Sequence, residues 1–272
     1  MAIKRFFIEG VDFIQQIFMN RRLIYELTKR DFKTQYANNL FGLSWAIVEP
    51  LAMMVILWGV FTFLRAAKSS EEVPYSIYIL TGLISYDFFN KSINQGTRSI
   101  RTYSFLVKTV NFRLAVIPII KIFSELLIHF IVVGIVIILL VVYHIFPSWY
   151  WFQFLYYLFA EVMLLIGVSW FTSSILPFFP DIAYIITIVM RMLFFMSPIF
   201  WRMDSFDARY SAFFAVNPLL YTVTGYRDSF LYHVPLWHHP LLTIYFWGFT
   251  GLMFLLGVVV FRRLKPHFAD VI

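Results

Sequence analysis

Lys121, Glu125 and His129 stand four residues apart inside an otherwise apolar run. On a helix that spacing puts all three on one face, where neighbouring side chains can interact. Ionisable groups in such a run are costly and turn toward protein or water rather than lipid. Arg191 lies near the middle of a second apolar stretch, too deep to snorkel easily, and Glu161 in a third is its candidate partner. Asp87 and Glu49 add two more acids. Two readings stand for this set: internal pairs that lock helices together, or the wall of a polar path. A proton relay would need a regular series of carboxylates across the apolar stretches, and the sequence has no such series.

Other chemistries find little support. No G-x-x-x-x-G-K-[ST] occurs and no G-x-G-x-x-G follows a strand, so the chain carries neither phosphate-cradling loop. With no cysteine, disulfides, thiolate chemistry and Cys-ligated zinc are excluded. The six histidines are scattered, and His233, His238 and His239 sit together without a companion motif. They read as interfacial polar contacts rather than metal ligands.

The elements that must position these residues are apolar helices. The chain has 272 residues, of which only 14% are charged, and several runs approach the ~20 apolar residues that cross a bilayer core. The pattern predicts an all-α, polytopic membrane protein with six spans, at about 43–64, 74–89, 114–143, 150–176, 182–200 and 241–261. A segment at 1–42 precedes them, the spans occupy 43–262, and a tail follows at 263–272. Phe6, Phe7, Val11, Phe13, Ile14, Ile17 and Phe18 recur at roughly helical spacing, and 21–32 mixes apolar and basic residues. Both pieces suit a helix lying in the headgroup layer. Between the last two spans, 210–216 and 219–232 are too short to cross and too apolar for a free loop, which predicts re-entrant helices within about 204–232.

Charge sets the orientation. Residues 1–42 carry seven Lys/Arg, residues 90–121 carry six with no acid, and the tail after Phe261 adds three. The alternate loops 65–73 and 144–149 hold two and none. Both termini and the 90–121 loop are therefore expected in the cytoplasm. The net charge of +7 follows the same pattern and points to anionic lipid rather than nucleic acid. Phe146, Trp149, Tyr150 and Trp151, then Trp201, Phe213, Phe214 and Tyr221, read mostly as an interfacial belt. Aromatic faces also stack on sugars, so the alternative for some of them is a glycan path.

The ordered landmarks LTKRDFKTQYANNLFGLSWAIVEP (27–50), RMLFFMSPIFW (191–201) and NPLLYTVTGYRDSF (217–230) resemble the membrane subunits of ABC-2-type polysaccharide exporters. Within that family, SINQGTRSI (92–100), FPSWYWFQFLYY (146–157), GYRDSFL (225–231) and LTIYFWGFT (242–250) are most similar to wall teichoic acid exporters, with O-antigen and capsule exporters as the alternative. The resemblance implies a non-enzymatic half-transporter in the bacterial inner membrane. It would pair with a second copy and with two ABC ATPase subunits, which hold the ATP and Mg, while this chain binds no cofactor. The cargo would be a polyprenyl-diphosphate-linked polymer.

The resemblance further implies an interface helix at about 22–36 and ATPase-coupling segments at about 98–108 and 177–183. Arg30, Asp31, Arg98, Arg101, Lys108, Pro180 and Asp181 would take coupling roles. Tyr25, Lys29, Lys33, Glu49, Arg191, Phe195 and Arg227 would line the path or gate. Lys29, Arg30 and Lys33 sit where a diphosphate could arrive, and charge-assisted bonds suit that group. The alternative is that they are ordinary topology signals or ATPase contacts. An ion-driven transporter would show inverted repeats or broken-helix pairs, and an intramembrane enzyme would need a catalytic constellation; the sequence displays neither.

Overall fold

The structure is a computed structural model, and it describes residues 21–37, 40–65, 73–107, 113–202 and 213–272. The amphipathic run at 6–18, Lys108 and the start of the 210–216 segment lie outside the described residues. Among the described residues every regular element is helical.

α1 (Arg21–Ala37) buries Ile24, Thr28 and Asp31 along one stripe and leaves its basic residues outside. A turn with Gly42 at φ 51°, a backbone shape that glycine adopts without a Cβ clash, leads through a short 3-10 piece into α2 (Trp45–Arg65). α2 carries Pro50 in its second turn and is the least enclosed of the long helices.

α3 (Tyr75–Thr102) is the hub and packs against α2, α5, α6, α7 and α8. The sequence placed a loop from residue 90. Instead the helix runs on to Thr102, because Ser92, Ile93, Gly96, Thr97, Ser99 and Ile100 continue its buried face. The apolar span and the polar stretch after it are thus one helix. A single turn, α4 (Ser104–Val107), follows.

α5 (Val116–Val142) and α6 (Gln153–Ile175), the latter entered through the 3-10 turn Trp149–Phe152, complete the centre of the bundle. α7 (Ile182–Met196) lies on its flank. α8 (Leu219–Arg227) runs into a π-turn over Asp228–Tyr232, and nearly all of it is buried. That enclosure lets so short an element sit among longer helices with its backbone satisfied. α9 (Pro240–Leu264) and α10 (Phe268–Val271) close the chain.

Among the described residues four stretches are long and apolar enough to span a membrane: Gly42–Phe63, Val116–Val142, Trp149–Ile175 and Pro240–Val271. The other two expected spans differ for separate reasons. α3 is long enough, but its second half is polar. α7 is apolar, but its 15 residues rise only ~22 Å against a ~30 Å core.

The tightest helix pairing joins α6 and α9. A Cβ on Gly167 would meet the backbone of Phe254, and one on Gly257 would meet the Gly167 carbonyl. Small residues at a crossing allow backbones to approach closely, the usual basis of helix association in lipid. A second, smaller core gathers Ile24, Ile100, Ile117, Trp170, Phe261 and Phe268 at the α1 end. There the Trp170 indole donates to the Ala115 carbonyl at 2.9 Å. The tail at 263–272 packs back on the bundle: Phe268 is buried edge-on against Phe261 and near Phe178.

Candidate functional site

Two adjoining cavities, of about 540 and 670 Å³, open on the flank formed by α2, α3 and α7. They share Glu49, Tyr86, Lys91 and Arg191 and so form one cleft. One half is apolar, with Met53, Leu83, Phe194 and Phe195. The other is rich in side-chain amides and charge, with Gln35, Asn90, Asn94, Gln95, Arg98 and Glu125.

Lys91 is the electrostatic centre of the cleft. Its Nζ lies 3.1 Å from Asp87 Oδ2, one helical turn back on α3, and 3.5 Å from Glu49 Oε1 on α2. A single cation between two carboxylates keeps both acids at the opening of a largely apolar wall. The Tyr86 hydroxyl donates to the Met190 carbonyl at 2.9 Å and ties α7 to α3 behind the site. Arg191 and Phe195 project from the exposed side of α7, Phe195 with 72% of its surface free. Such a surface offers paired charge, carboxamides and aromatic rings together, a combination suited to an anionic or hydroxyl-rich cargo.

The α1 end holds a second set. The Asp31 carboxylate faces inward and is only 6% exposed. Its Oδ1 accepts from Lys121 Nζ at 2.7 Å and from the Tyr103 hydroxyl. Burial and the Asp31 carboxylate push the Tyr103 phenol up, so it stays a donor. Lys121 also lies 5.4 Å from the Tyr103 ring centre. Further along α1, Ser124 Oγ donates to the Thr28 carbonyl at 3.3 Å, and Gln35 Nε2 donates to Glu125 Oε1 at 3.0 Å.

Deep in the bundle, His129 Nε2 lies 2.9 Å from the Tyr226 hydroxyl. Ser85 Oγ lies within 3.4 Å of both Glu161 oxygens and 3.1 Å from Thr222 Oγ1. This network joins α3, α5, α6 and α8.

The expected site residues therefore separate into groups. Tyr25, Lys29, Arg30 and Lys33 lie on the exposed face of α1; Arg98, Arg101, Pro180 and Asp181 are exposed at the same end of the bundle. Glu49, Arg191 and Phe195 meet in the cleft. Asp31 and Arg227 are instead buried among protein groups, and Lys108 lies outside the described residues.

The candidate Arg191–Glu161 pair is not formed: Glu161 accepts from Ser85, while Arg191 lines the cleft. Nor do Lys121, Glu125 and His129 serve one another: Lys121 and Glu125 both reach α1, and His129 reaches α8. Part of the aromatic belt also moves inside. Trp149 is exposed, but Trp151 packs edge-on against Phe230, and the Tyr221 hydroxyl lies 3.0 Å from that of Tyr156.

Lys91, Tyr103 and Gln35 were not singled out from sequence. The i,i+4 spacing of Asp87 and Lys91 was a usable signal for the first. Tyr103 and Gln35 had none, since their partners are distant in the chain.

The family model for the ABC-2 type transporter matches residues 22–231. The O-antigen export system permease protein RfbA of Klebsiella pneumoniae is 25% identical over 253 residues, covering 92% of this chain and 95% of the relative. RfbA of Myxococcus xanthus is 20% identical over 223 residues, covering 81% and 84%. The polysialic acid transport protein KpsM of Escherichia coli is 25% identical over 206 residues, covering 74% and 78%. With more than half of its length matched, the chain belongs to the ABC-2 type transporter family of membrane subunits.

Proposed function

We propose that this chain is the membrane half of an ATP-driven exporter for a polyprenyl-diphosphate-linked surface polysaccharide of the O-antigen or capsular type. The observation that carries the reading is the flank cleft. Lys91 and Arg191 supply charge beside amides and aromatic rings, on a side of the bundle that a second copy could close. The named activities of the RfbA and KpsM relatives favour a polysaccharide cargo over the teichoic acid suggested by segments 92–100 and 146–157.

In this reading α3 and α7 complete six spans, with α7 extended through Phe200 and both termini cytoplasmic. The interface segment is 1–42, the membrane domain 43–262 and the tail 263–272. Two copies enclose the path, and an ABC ATPase dimer binds at the α1 end. There the exposed Arg30, Arg98, Arg101, Pro180 and Asp181 form the docking ground, together with Lys108. Lys29 and Lys33 meet the diphosphate as it enters.

The test is reconstitution. The chain is co-purified with a candidate ABC ATPase partner and placed in vesicles. ATP hydrolysis that vanadate blocks and a lipid-linked polysaccharide stimulates is the expected result. Transport by the chain alone, with no ATPase bound, would overturn the reading. Stimulation only by a polyol-phosphate polymer would restore the teichoic acid assignment.

A further inference from the structure

Besides Ile24 in the smaller core, α1 is held to the rest of the protein by polar contacts directed at a few points. Asp31 reaches Lys121 at the base of α5 and Tyr103 just past the end of α3. Thr28 and Gln35, on the same face, meet Ser124 and Glu125 of α5. The opposite face carries Lys29, Arg30 and Lys33, all exposed. α1 thus has an inner face that grips α5 and an outer face free for a partner, and Asp31 belongs to the inner one.

We infer that Asp31 is a positioning residue that makes α1, the end of α3 and the base of α5 move as one lever. Resting on the proposed ATP-driven function, this assigns contact with the ATPase to the outer face of α1 and transmission into the bundle to Asp31. The geometry supports it in three ways. Asp31 and Lys121 are only 6% and 9% exposed, so neither side chain can also reach a docked subunit. The carboxylate holds two elements at once through one oxygen, so its loss frees α1 from Tyr103 and removes one of its contacts with α5. Removing one partner of a buried pair also leaves the other charge uncompensated, which weakens the joint beyond the loss of one bond. Lys121 in turn lies one helical turn before Glu125, so the two contacts to α1 occupy one face of α5.

The absence of native cysteine makes the test clean. Ser124 Oγ meets the Thr28 backbone carbonyl, which brings the two residues together at the α1–α5 contact. Thr28→Cys with Ser124→Cys, joined by oxidation or by a short bis-thiol reagent, replaces the polar joint with a covalent one. Asp31→Asn in the assembled transporter is expected to lower ATP-dependent export by about tenfold, a typical coupling loss. Cross-linking the cysteine pair in that background is expected to restore export, and reduction to remove it again. Rescue separates positioning from docking, because a joint at 28–124 cannot replace a lost contact with the ATPase.

Three results would overturn the inference: Asp31→Asn exporting normally, cross-linked Asp31→Asn remaining inactive, or the cross-link abolishing export with Asp31 intact. If Asp31→Asn fails to accumulate in the membrane, Tyr103→Phe removes one donor to the same oxygen and carries the same test. A transport-free readout separates this from the proposed function. Maleimide should label Thr28→Cys faster in the Asp31→Asn chain, with or without an ATPase present. Equal labelling rates would show that Asp31 does not hold α1 in place.

Discussion

The Arg227 guanidinium lies 3.5 Å from the centre of the Tyr78 ring while its Nε and Nη2 donate to the carbonyl of that same residue, at 3.1 and 3.0 Å. Nη2 also donates to the Ile199 carbonyl at 3.1 Å, and Nη1 to Pro198. One side chain thus ties α8 to α3 and to the segment that follows α7. Gly82 leaves the space, since a Cβ there would collide with the guanidinium.

Lysine cannot replace this arrangement, because an ammonium on a flexible stem does not reproduce a planar fork with donors in several directions. Arg227→Lys should therefore destabilise the protein nearly as much as Arg227→Ala. Each buried carbonyl left without a donor costs about 1–3 kcal/mol. Melting temperature in detergent is the measurement, and a lysine variant as stable as the parent would refute the clamp. Gly82→Ala should fall in the same direction.

Arg227 also shows where the sequence stopped being informative. Its position in a short apolar segment suggested an element too short to span, because length and hydrophobicity are local properties, and α8 is a buried helix of 9 residues. Its partners are carbonyls as much as 149 residues away, and no spacing rule reaches them. Asp31 is similar: its charge and helix were legible, but the direction of its side chain depends on Lys121, 90 residues on. Glu49 and Arg191 were recognised singly as intramembrane ions, whereas the cleft that unites them depends on how α7 packs beside α3. The overextended loop at residue 90 has a different cause. Polar residues there were taken to end a span, although a helix can leave the apolar layer without ending.

The crossing of α6 and α9 gives a second expectation. Gly257→Ala places a methyl against the Gly167 carbonyl, a backbone atom that cannot rotate away. Overpacking of this kind costs about 1–3 kcal/mol, and Gly257→Leu should prevent assembly. Gly251, on the same helix but with open space around it, is the control: Gly251→Ala should be neutral or slightly stabilising. Equal effects at 257 and 251 would show that the close approach is not what the site requires.

His239, at the start of α9, lies with Nε2 3.3 Å from Asp228 Oδ2 at the end of α8. The bond to Asp228 raises the imidazole above its ordinary value, partly opposed by desolvation. A raised folded-state value contributes stability that is fully present below the unfolded value of about 6.5. That stability is lost as pH climbs through the raised value. The loop 233–239 should therefore become more open to protease as pH rises from about 6 toward 9. His239→Gln should flatten the dependence; a profile unchanged by that substitution would assign the effect to another group.

Lys91 distinguishes function from stability most directly. Its side chain is 28% exposed, and those of Asp87 and Glu49 are 40% and 62% exposed, so neither ion pair is buried in the bundle. Exposed pairs contribute about 0–1 kcal/mol each. Lys91→Met should accordingly leave melting temperature almost unchanged, in contrast to Arg227→Lys. It would also turn the rim of the cleft from mixed charge to net acid, with Glu49 and Asp87 uncompensated. An anionic cargo approaching that rim would lose attraction and gain repulsion, and its apparent affinity should weaken by roughly fivefold or more, about 1 kcal/mol. The deficit should shrink as salt rises from 50 to about 500 mM, because the charges lie within reach of screening ions. Glu49→Gln in the same chain should recover part of the loss by removing one of the two acids. A Lys91→Met exporter with unaltered cargo affinity at low salt would remove the cleft from the transport path.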